Sequence, residues 1–237
     1  AAKEMLTRIT AMLPVNPRGM WVGTFHGLCH RMLRTHHQDA GLPQAFQILD
    51  SADQLALIKR ILKDLLADEK KFPPRQVQWF INNAKEAGLR AAYVAVADAY
   101  SRRLQEFYQA YESQCQKEGA VDFAELLLRC YELLNRNEIL CRHYRERFQH
   151  ILVDEFQDTN PLQYKWLKLL AGAGSQNAAA VFAVGDDDQS IYAFRGAYTG
   201  NMRDFEHDFG ITRIIKLEQN YRSHGNILDA ANALIEN

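Results

Sequence analysis

Regular apolar stripes between residues 24 and 148 are the feature of this 237-residue sequence that most limits its possible folds. Apolar side chains recur there at intervals of three and four residues, which is typical of helices with one buried face. One stripe follows Ser51, a second follows Pro74, and a third stops at Gly119. The first stripe comprises Leu55, Ile58, Ile61, Leu62, Leu65 and Leu66, and the third comprises Leu104, Phe107, Tyr108, Tyr111 and Cys115. We therefore predict a helical unit over residues 24–148.

Two four-residue patterns predict where helices of this unit begin. Ser51-x-x-Gln54 and Asp122-x-x-Glu125 each fit a capping box. In a capping box two side chains bind backbone N–H groups that have no partner at the start of a helix. Both patterns are followed by an apolar stripe, so each predicts a helix N-terminus.

The sequence changes character after His150, where short β-branched runs alternate with helical patterns. Strands that alternate with helices indicate a parallel, doubly wound α/β sheet, in which ligands bind at the carboxyl ends of the strands. A helix is predicted over residues 162–170, and Ser223 is predicted to cap a final helix. The predicted strands are residues 20–23, 151–153, 180–184 and 213–217.

The composition suits a soluble globular protein, with 47% hydrophobic and 24% charged residues. No apolar run approaches the ~20 residues that cross a bilayer, so we expect no membrane span. Lys and Arg number 28 against 29 for Asp and Glu, which argues against a broadly basic surface but permits a local basic groove. The four cysteines form no C-x-x-C pair, which indicates reduced thiols and a cytoplasmic location. Both ends read like interrupted helices, so we expect a piece of a longer chain.

Adjacent carboxylates at Asp154-Glu155 follow one predicted strand and precede Gln157 and Asp158. One carboxylate can hold Mg²⁺ while its neighbour polarises water, and hydrolysis of a phosphoanhydride needs both functions. Acidic residues also occur after strands simply because they offset the dipole at a helix N-terminus. That structural interpretation would be preferred for a bare Asp-Glu pair, but the apolar run before it and the polar residues after it favour nucleotide hydrolysis.

A second acidic cluster, residues 186–188, follows the predicted strand 180–184 and precedes Gln189. Three adjacent acids repel one another, which favours a cation nearby, and Gln189 could sense a terminal phosphate. Aromatic faces then alternate with a cation, as expected of a surface that stacks bases, at Tyr192, Phe194 and Arg195. Taken alone, this segment is better explained by aromatic residues of the core and a solvated Asp187.

A third cluster, Tyr221-Arg222, precedes the predicted helix cap at Ser223. An arginine in this position can act as an arginine finger on a γ-phosphate, and a tyrosine can stack on a purine. A lone Tyr-Arg pair is usually structural, so this cluster alone is a weak indication of function.

The three clusters occur in one order, and their residues resemble the motifs of the UvrD/Rep family of superfamily 1 DNA helicases. Residues 154–158 resemble the Walker B motif, 185–195 the motif that couples ATP to DNA, and 219–223 the motif that closes the ATP cleft. Residues Thr24, Phe25 and His26 resemble the family's early DNA-contact motif. The resemblance covers essentially the whole chain. It implies an α/β fold with an incomplete P-loop NTPase (RecA-like) parallel sheet core and a large all-helical insertion.

The resemblance also implies roles for individual residues. Asp154 would ligate Mg²⁺, Glu155 would activate the attacking water, Gln189 would read the γ-phosphate and Arg222 would stabilise the transition state. The other nucleotide contacts would be Tyr221, which stacks on adenine, Gln157 and Asp158. The DNA contacts would be Thr24, Phe25, His26, Tyr192, Phe194 and Arg195.

The same resemblance divides the chain into four segments. Residues 1–23 would be an N-terminal remnant of motor domain 1A, and residues 24–148 the helical insertion 1B. Residues 149–217 would complete domain 1A, and residues 218–237 would form the junction and the start of motor domain 2A.

The sequence departs from the family at the Walker A loop, whose Gly-Lys-Thr ending is absent from these 237 residues. Residues 171–175 imitate the first half of that loop, but Gln176 and Asn177 stand in place of Gly-Lys. The imitation also follows a predicted helix instead of a strand, so its geometry is wrong for cradling phosphate. We interpret it as a surface loop.

Together these observations predict part of an ATP-dependent 3′–5′ DNA helicase that translocates on single-stranded DNA, unwinds duplex DNA and acts in DNA repair. Its expected cofactors are ATP and Mg²⁺. Its expected partners are single-stranded DNA, duplex–single-strand junctions and DNA repair proteins. The isolated chain is expected to be inactive, since it lacks the phosphate-binding lysine. The alternative is a non-catalytic helicase-like module that binds DNA or a protein.

Overall fold

The computed structural model describes residues 2–13, 19–175, 177–186, 201–211, 213–221 and 223–235. The fold is mixed α/β and mostly helical. Its helices are α1 (Ala2–Met12), α2 (Phe25–Thr35), α3 (Ser51–Asp64), α4 (Pro74–Glu86), α5 (Ala99–Glu118), α6 (Phe123–Arg136), α7 (Glu138–Arg147), α8 (Pro161–Ala171), α9 (Asn201–Asp208) and α10 (Gly225–Ile235). Its strands are β1 (Gln47–Leu49), β2 (Ala120–Asp122), β3 (His150–Val153) and β4 (Ala180–Ala183).

The predicted apolar stripes of α4 and α5 form one buried core together with α3. In α5 the whole predicted stripe is buried, from Leu104 to Cys115. This helix ends as predicted at Gly119, which has a left-handed φ of +61°. A Cβ atom at that position would lie 2.7 Å from Cγ of Pro43. Glycine is therefore needed there for space as well as for its backbone conformation.

Helix α3 begins and ends differently from the prediction. Its N-cap is Asp50, whose Oδ1 accepts two backbone N–H groups of the first turn, both at 2.8 Å. The capping box predicted at Ser51 and Gln54 is wrong, because the Asp50 carboxylate already binds the donors of this helix end. The helix ends before Leu65, and the side chain of Leu66 is 91% exposed. The buried stripe is therefore shorter than predicted.

A parallel pair of short strands, β1 and β2, lies within the region predicted to be entirely helical. Gln47 pairs with Ala120 and Leu49 pairs with Asp122. The prediction of an all-helical insertion is therefore wrong at this point. Each strand has only three residues, which is too few for an alternating pattern to show in the sequence.

The predicted strands at 151–153 and 180–184 are confirmed as β3 and β4, which pair in parallel with His150 opposite Ala180 and Val153 opposite Ala183. Helix α8 connects them, as the doubly wound interpretation requires. Within the described ranges, however, the sheet that contains β3 has two strands only. A complete RecA-like sheet core is thus not present in this part of the chain.

Two other predicted strands are wrong. Residues 20–23 and 213–217 are irregular, and neither segment has a strand partner in the described part of the chain. The β-branched residues Ile214 and Ile215 are exposed there. Helix α10 begins at Gly225, beyond the predicted cap at Ser223. Among the described helices, none is both long and apolar enough to span a membrane.

A buried ionic cluster joins the α3–α5 core to helix α6. Lys85 of α4 is only 1% exposed, and its Nζ lies 2.7 Å from Oδ2 of Asp122 and 2.9 Å from Oε2 of Glu125. Burial alone would lower the pKa of Lys85, but the two facing carboxylates outweigh it and raise this pKa above its ordinary value. The lysine therefore stays charged inside the protein.

Further donors complete this cluster. The Tyr111 hydroxyl donates to Oδ2 of Asp122 at 2.7 Å, and Arg90 donates to Glu125 at 2.8 Å. Asp122 also caps α6, because its Oδ1 accepts the N–H of Glu125 at 2.7 Å. Half of the capping box predicted there is confirmed, while the Glu125 side chain binds cations instead of the helix end. Burial would raise the pKa of Glu125, but Lys85, Arg90 and Arg129 hold it well below its usual range.

Replacing the buried lysine should destabilise the whole fold. We expect Lys85→Met to lower the free energy of unfolding by about 3–5 kcal/mol, because it leaves Asp122 buried without the lysine that faces it and removes one of the three cations around Glu125. Chemical denaturation followed by circular dichroism measures the change. The control is Lys59→Met on the exposed face of α3, which should alter stability by less than about 0.5 kcal/mol. Equal effects of the two substitutions would contradict a central role for the cluster.

Candidate active site

The carboxyl ends of β3 and β4 meet at one edge of their sheet, because the two strands run in parallel. Asp154 and Glu155 leave this edge from β3, and Asp186 follows β4. Backbone pairing continues past the strands: the N–H of Val184 donates to the carbonyl of Val153, and the N–H of Phe156 donates to that of Val184, both at 2.9 Å. The two loops that carry the acidic clusters are therefore bonded to each other.

Glu155 has an unusual backbone conformation for a residue with a side chain. Its φ of +51° and ψ of +46° lie in the left-handed region, which costs roughly 1–3 kcal/mol in a non-glycine residue. This turn leads directly into a single 3₁₀ turn, Phe156–Asp158, in which the Phe156 ring is fully buried. The buried ring anchors the turn, and the side chains of Asp154 and Glu155 stay exposed at the sheet edge. Strain of this kind is commonly found at functional sites.

Gln157 connects the two loops through its side-chain amide. The side chain is buried, with 3% exposure. Its Nε2 donates to Oε2 of Glu155 at 2.7 Å, and its Oε1 accepts the backbone N–H of Asp186 at 3.1 Å. Gly185 makes this contact possible, because a Cβ atom there would lie 2.8 Å from Oε1 of Gln157.

Asp158 lies beside this pair in an environment that disfavours its charge. The side chain is half-buried, and its Oδ1 is shielded from solvent without a hydrogen-bond partner in the described part of the chain. Burial raises the pKa of Asp158, and the negative charge of Glu155 raises it further. The edge thus concentrates negative charge that a cation would relieve.

The described residues contain no preformed group of three or more His, Cys, Asp or Glu side chains that could hold a metal ion. A magnesium ion, however, is commonly bound by one or two protein carboxylates together with substrate phosphates and water. The exposed carboxylates of Asp154 and Glu155 fit that requirement in number and in chemistry. The assignment of Asp154 as the magnesium ligand stays a prediction.

The predicted early DNA-contact residues lie at the start of α2. The Thr24 hydroxyl accepts the N–H of Gly27 at 3.2 Å and caps the helix. Phe25 is half-buried and meets the ring of Trp166 edge-on at 5.9 Å. It also packs against the apolar cluster that contains Val153 and Phe156, directly beneath the carboxylates. The structure therefore connects α2 to the candidate site through packing.

The His26 ring packs edge-on against Phe123 at a centroid distance of 6.3 Å. Burial lowers the pKa of this histidine, so it is neutral at pH 7. Phe123 begins α6, and its side chain is 54% exposed. This exposed ring beside a predicted DNA contact was not predicted from the sequence, although Phe123 directly follows a predicted cap and lies off the apolar stripe.

Several predicted site residues lie outside the described residues: Gln189, Tyr192, Phe194, Arg195 and Arg222. Tyr221 is described and is 86% exposed, with its hydroxyl donating to Oε1 of Gln219 at 2.8 Å. The glycine-rich imitation of a Walker A loop is a helix end, because Gly172 has a φ of +68° and terminates α8. Its interpretation as a loop is confirmed.

The sequence over residues 1–210 matches the family model of the UvrD/REP helicase N-terminal domain. The chain belongs to this family. It is 56% identical to DNA helicase II of Escherichia coli and 54% identical to DNA helicase II of Haemophilus influenzae. It is 40% identical to the ATP-dependent DNA helicase PcrA of Bacillus subtilis. These alignments cover all of this chain but 32%, 33% and 32% of the respective relatives, so the chain spans about a third of their length.

Removing the charge of Asp158 should stabilise this helicase domain. We expect Asp158→Asn to raise the melting temperature at pH 7 in buffer without divalent cations, because the folded state disfavours the ionised carboxylate. The pKa of Asp158 is higher in the folded state than its ordinary value of 3.8. The ionised carboxylate therefore destabilises the fold fully at a pH above the folded-state pKa and not at all at a pH below 3.8. The difference in melting temperature between Asp158→Asn and the wild type should therefore become smaller as the pH falls.

Differential scanning fluorimetry across a pH series measures this effect. The matched control is Asp229→Asn, at an exposed aspartate of α10, which should leave the melting temperature nearly unchanged at every pH. A lower melting temperature for Asp158→Asn at pH 7 would show that its carboxylate stabilises the fold.

Proposed function

We propose that this chain supplies the Walker B half of the ATP-hydrolysing motor of a DNA helicase. The observation that carries the proposal is the edge where Asp154 and Glu155 leave β3 with exposed carboxylates, beside a loop of β4 that is bonded to theirs. Two of the relatives are named DNA helicase II, and a third is named an ATP-dependent DNA helicase. The names fit the chemistry that these side chains can perform.

In this proposal Asp154 would hold Mg²⁺, which would supply positive charge to the nucleotide phosphates. Glu155 accepts a proton from the attacking water, since it is an exposed carboxylate directly after Asp154 in the chain. Asp158 would add negative charge to the sheet edge that would hold the metal and the nucleotide. Gln189 senses the terminal phosphate, Arg222 stabilises charge that develops during transfer, and the adenine stacks on Tyr221.

The proposal places single-stranded DNA on aromatic and basic side chains at the start of α2 and in the segment after β4. The packing of Phe25 against the cluster beneath the carboxylates supports communication between the DNA and the hydrolytic edge. The predicted contacts are Thr24, Phe25, His26, Tyr192, Phe194 and Arg195. We further propose that the complete helicase moves 3′–5′, unwinds duplex DNA at junctions with single strands, and works with DNA repair proteins in the cytoplasm.

We propose that residues 1–23 and 149–217 belong to motor domain 1A, residues 24–148 to insertion 1B, and residues 218–237 to the start of domain 2A. The separate core of α3–α5 supports an insertion that folds as a unit. A second core contains side chains of α2, α6 and α7 together with α8, so the proposed boundary at residue 148 runs through continuous apolar packing. Insertion and motor are therefore firmly joined in this proposal.

A second candidate is a non-catalytic module that binds DNA or a protein. It is favoured by the one glycine-rich run that imitates a phosphate loop, since that run ends α8 instead of following a strand. The two candidates differ in what happens when the chain is placed in a complete helicase. For this test residues 1–237 replace the matching 32% of E. coli DNA helicase II; we call this protein the full-length chimera.

In the full-length chimera, Glu155→Gln should reduce DNA-stimulated ATP turnover by about 10²–10⁴-fold, because it removes the general base. Binding of a non-hydrolysable ATP analogue should persist. Phosphate release with and without single-stranded DNA measures turnover. The control is Glu146→Gln, at an exposed glutamate of α7, which should keep full activity. The isolated chain should show no turnover. A chimera that binds DNA but never hydrolyses ATP would support the non-catalytic module.

Arg222 and Tyr221 should give opposite kinetic signatures in the same chimera. Arg222→Ala should lower kcat by about 10³–10⁵-fold with little change in ATP binding, since an arginine finger acts on charge that grows in the transition state. Tyr221→Ala should mainly raise KM, because stacking contributes equally before and during hydrolysis. Steady-state kinetics of both variants measure the difference. An Arg222→Ala variant with unchanged kcat and a lower melting temperature would show a structural role.

A further inference from the structure

We propose that Gln157 is a positioning residue that fixes the carboxylate of Glu155 and ties its orientation to the segment after β4. This inference rests on the proposed function, because it assigns Glu155 to water activation. It concerns how the carboxylate of Glu155 is held in that site. Sequence reasoning placed Gln157 among the nucleotide contacts; the bonds described above favour a different role.

Both polar ends of the Gln157 side chain are already used by the protein. Its Nε2 donates to Oε2 of Glu155 at 2.7 Å, and its Oε1 accepts the N–H of Asp186 at 3.1 Å. A carboxylate can only accept and a backbone N–H can only donate, so this orientation of the amide is the one that satisfies both partners. At 3% exposure the side chain also has little surface left for a nucleotide.

The chemistry of the position requires glutamine. Glutamate would offer Asp186 an acceptor but would face Glu155 with a second negative charge. An apolar side chain would leave the N–H of Asp186 without this acceptor and Glu155 without this donor. Glu155 has an exposed side chain on a left-handed backbone, so the hydrogen bond from Gln157 limits the orientations that its carboxylate can take.

Gly185 gives a second and independent observation. A Cβ atom at this position would lie 2.8 Å from Oε1 of Gln157 and 3.2 Å from its backbone N. The end of β4 therefore contacts Gln157 through bare backbone, and any side chain at Gly185 must push the two apart. Asp186 begins the segment that carries the predicted phosphate and DNA contacts, so the Gln157 side chain bonds Glu155 to the first residue of that segment.

The test uses Gln157→Met, Gln157→Glu and Gly185→Ala in the full-length chimera. We expect each to lower DNA-stimulated kcat by about 10–100-fold, as when a supporting hydrogen bond behind a reactive group is lost. The KM for ATP and the affinity for single-stranded DNA should change by less than about threefold. The matched control is Gln54→Met. Gln54 is another buried glutamine, 4% exposed, whose Nε2 donates to Asn82 at 2.8 Å. Its substitution should lower the melting temperature but leave kcat intact.

The outcomes separate this inference from the proposed function. If Glu155→Gln keeps its turnover, the assignment of Glu155 fails, and the role of Gln157 fails with it. If Glu155→Gln is inactive while Gln157→Met and Gly185→Ala keep normal kcat, only the positioning role is overturned. A raised KM with normal kcat would instead make Gln157 a nucleotide contact. Should Gln157→Met not fold, Gln157→Glu and Gly185→Ala decide, because the first preserves size and polarity and the second leaves Gln157 unchanged.

Discussion

The contact of Lys85 with Asp122 and Glu125 is the interaction on which the placement of the other elements depends. Burying these charges is unfavourable unless the lysine meets both carboxylates, which favours the observed arrangement of α4, β2 and α6. Helix α6 then contacts α8, where the indole N–H of Trp166 donates to Sγ of Cys130 at 3.3 Å. Because α8 connects β3 to β4, an ionic contact in the helical region helps to fix the sheet edge that carries the carboxylates.

The sheet edge itself combines unfavourable local features with favourable neighbouring ones. A left-handed Glu155 and the charge crowding of Asp158 work against the fold. Three neighbouring features offset these unfavourable effects: the buried ring of Phe156, the hydrogen bonds of the Gln157 amide, and the backbone hydrogen bonds between the two loops. A site that must present bare carboxylates to a charged ligand cannot also neutralise them internally, so stability has to come from the residues behind them.

The sequence predicts this fold well wherever one face of a long element is buried, as in α5, because the apolar period is then repeated several times. It fails for β1 and β2, whose three residues carry no period, and at Ser51, where the adjacent Asp50 is the stronger acceptor. The carboxylates of Asp154 and Glu155 could be predicted from the sequence, because they directly follow an apolar run that predicts a strand. The bonding of Gln157 was not, since it depends on the approach of Gly185 from a distant part of the chain.

The pairing of β1 with β2 also has a consequence for the order of folding. All of α3, α4 and α5 lie between these strands in sequence, so the strands close a long loop. Local helices form in microseconds or less, whereas distant strands pair slowly. On the ribosome, where the N-terminal part of a chain emerges first, α3–α5 can assemble before β2 is synthesised. Lys85 is then already part of a helical unit when β2 and α6 follow. Docking of Asp122 and Glu125 against it pairs the buried charges and closes the loop at the same time.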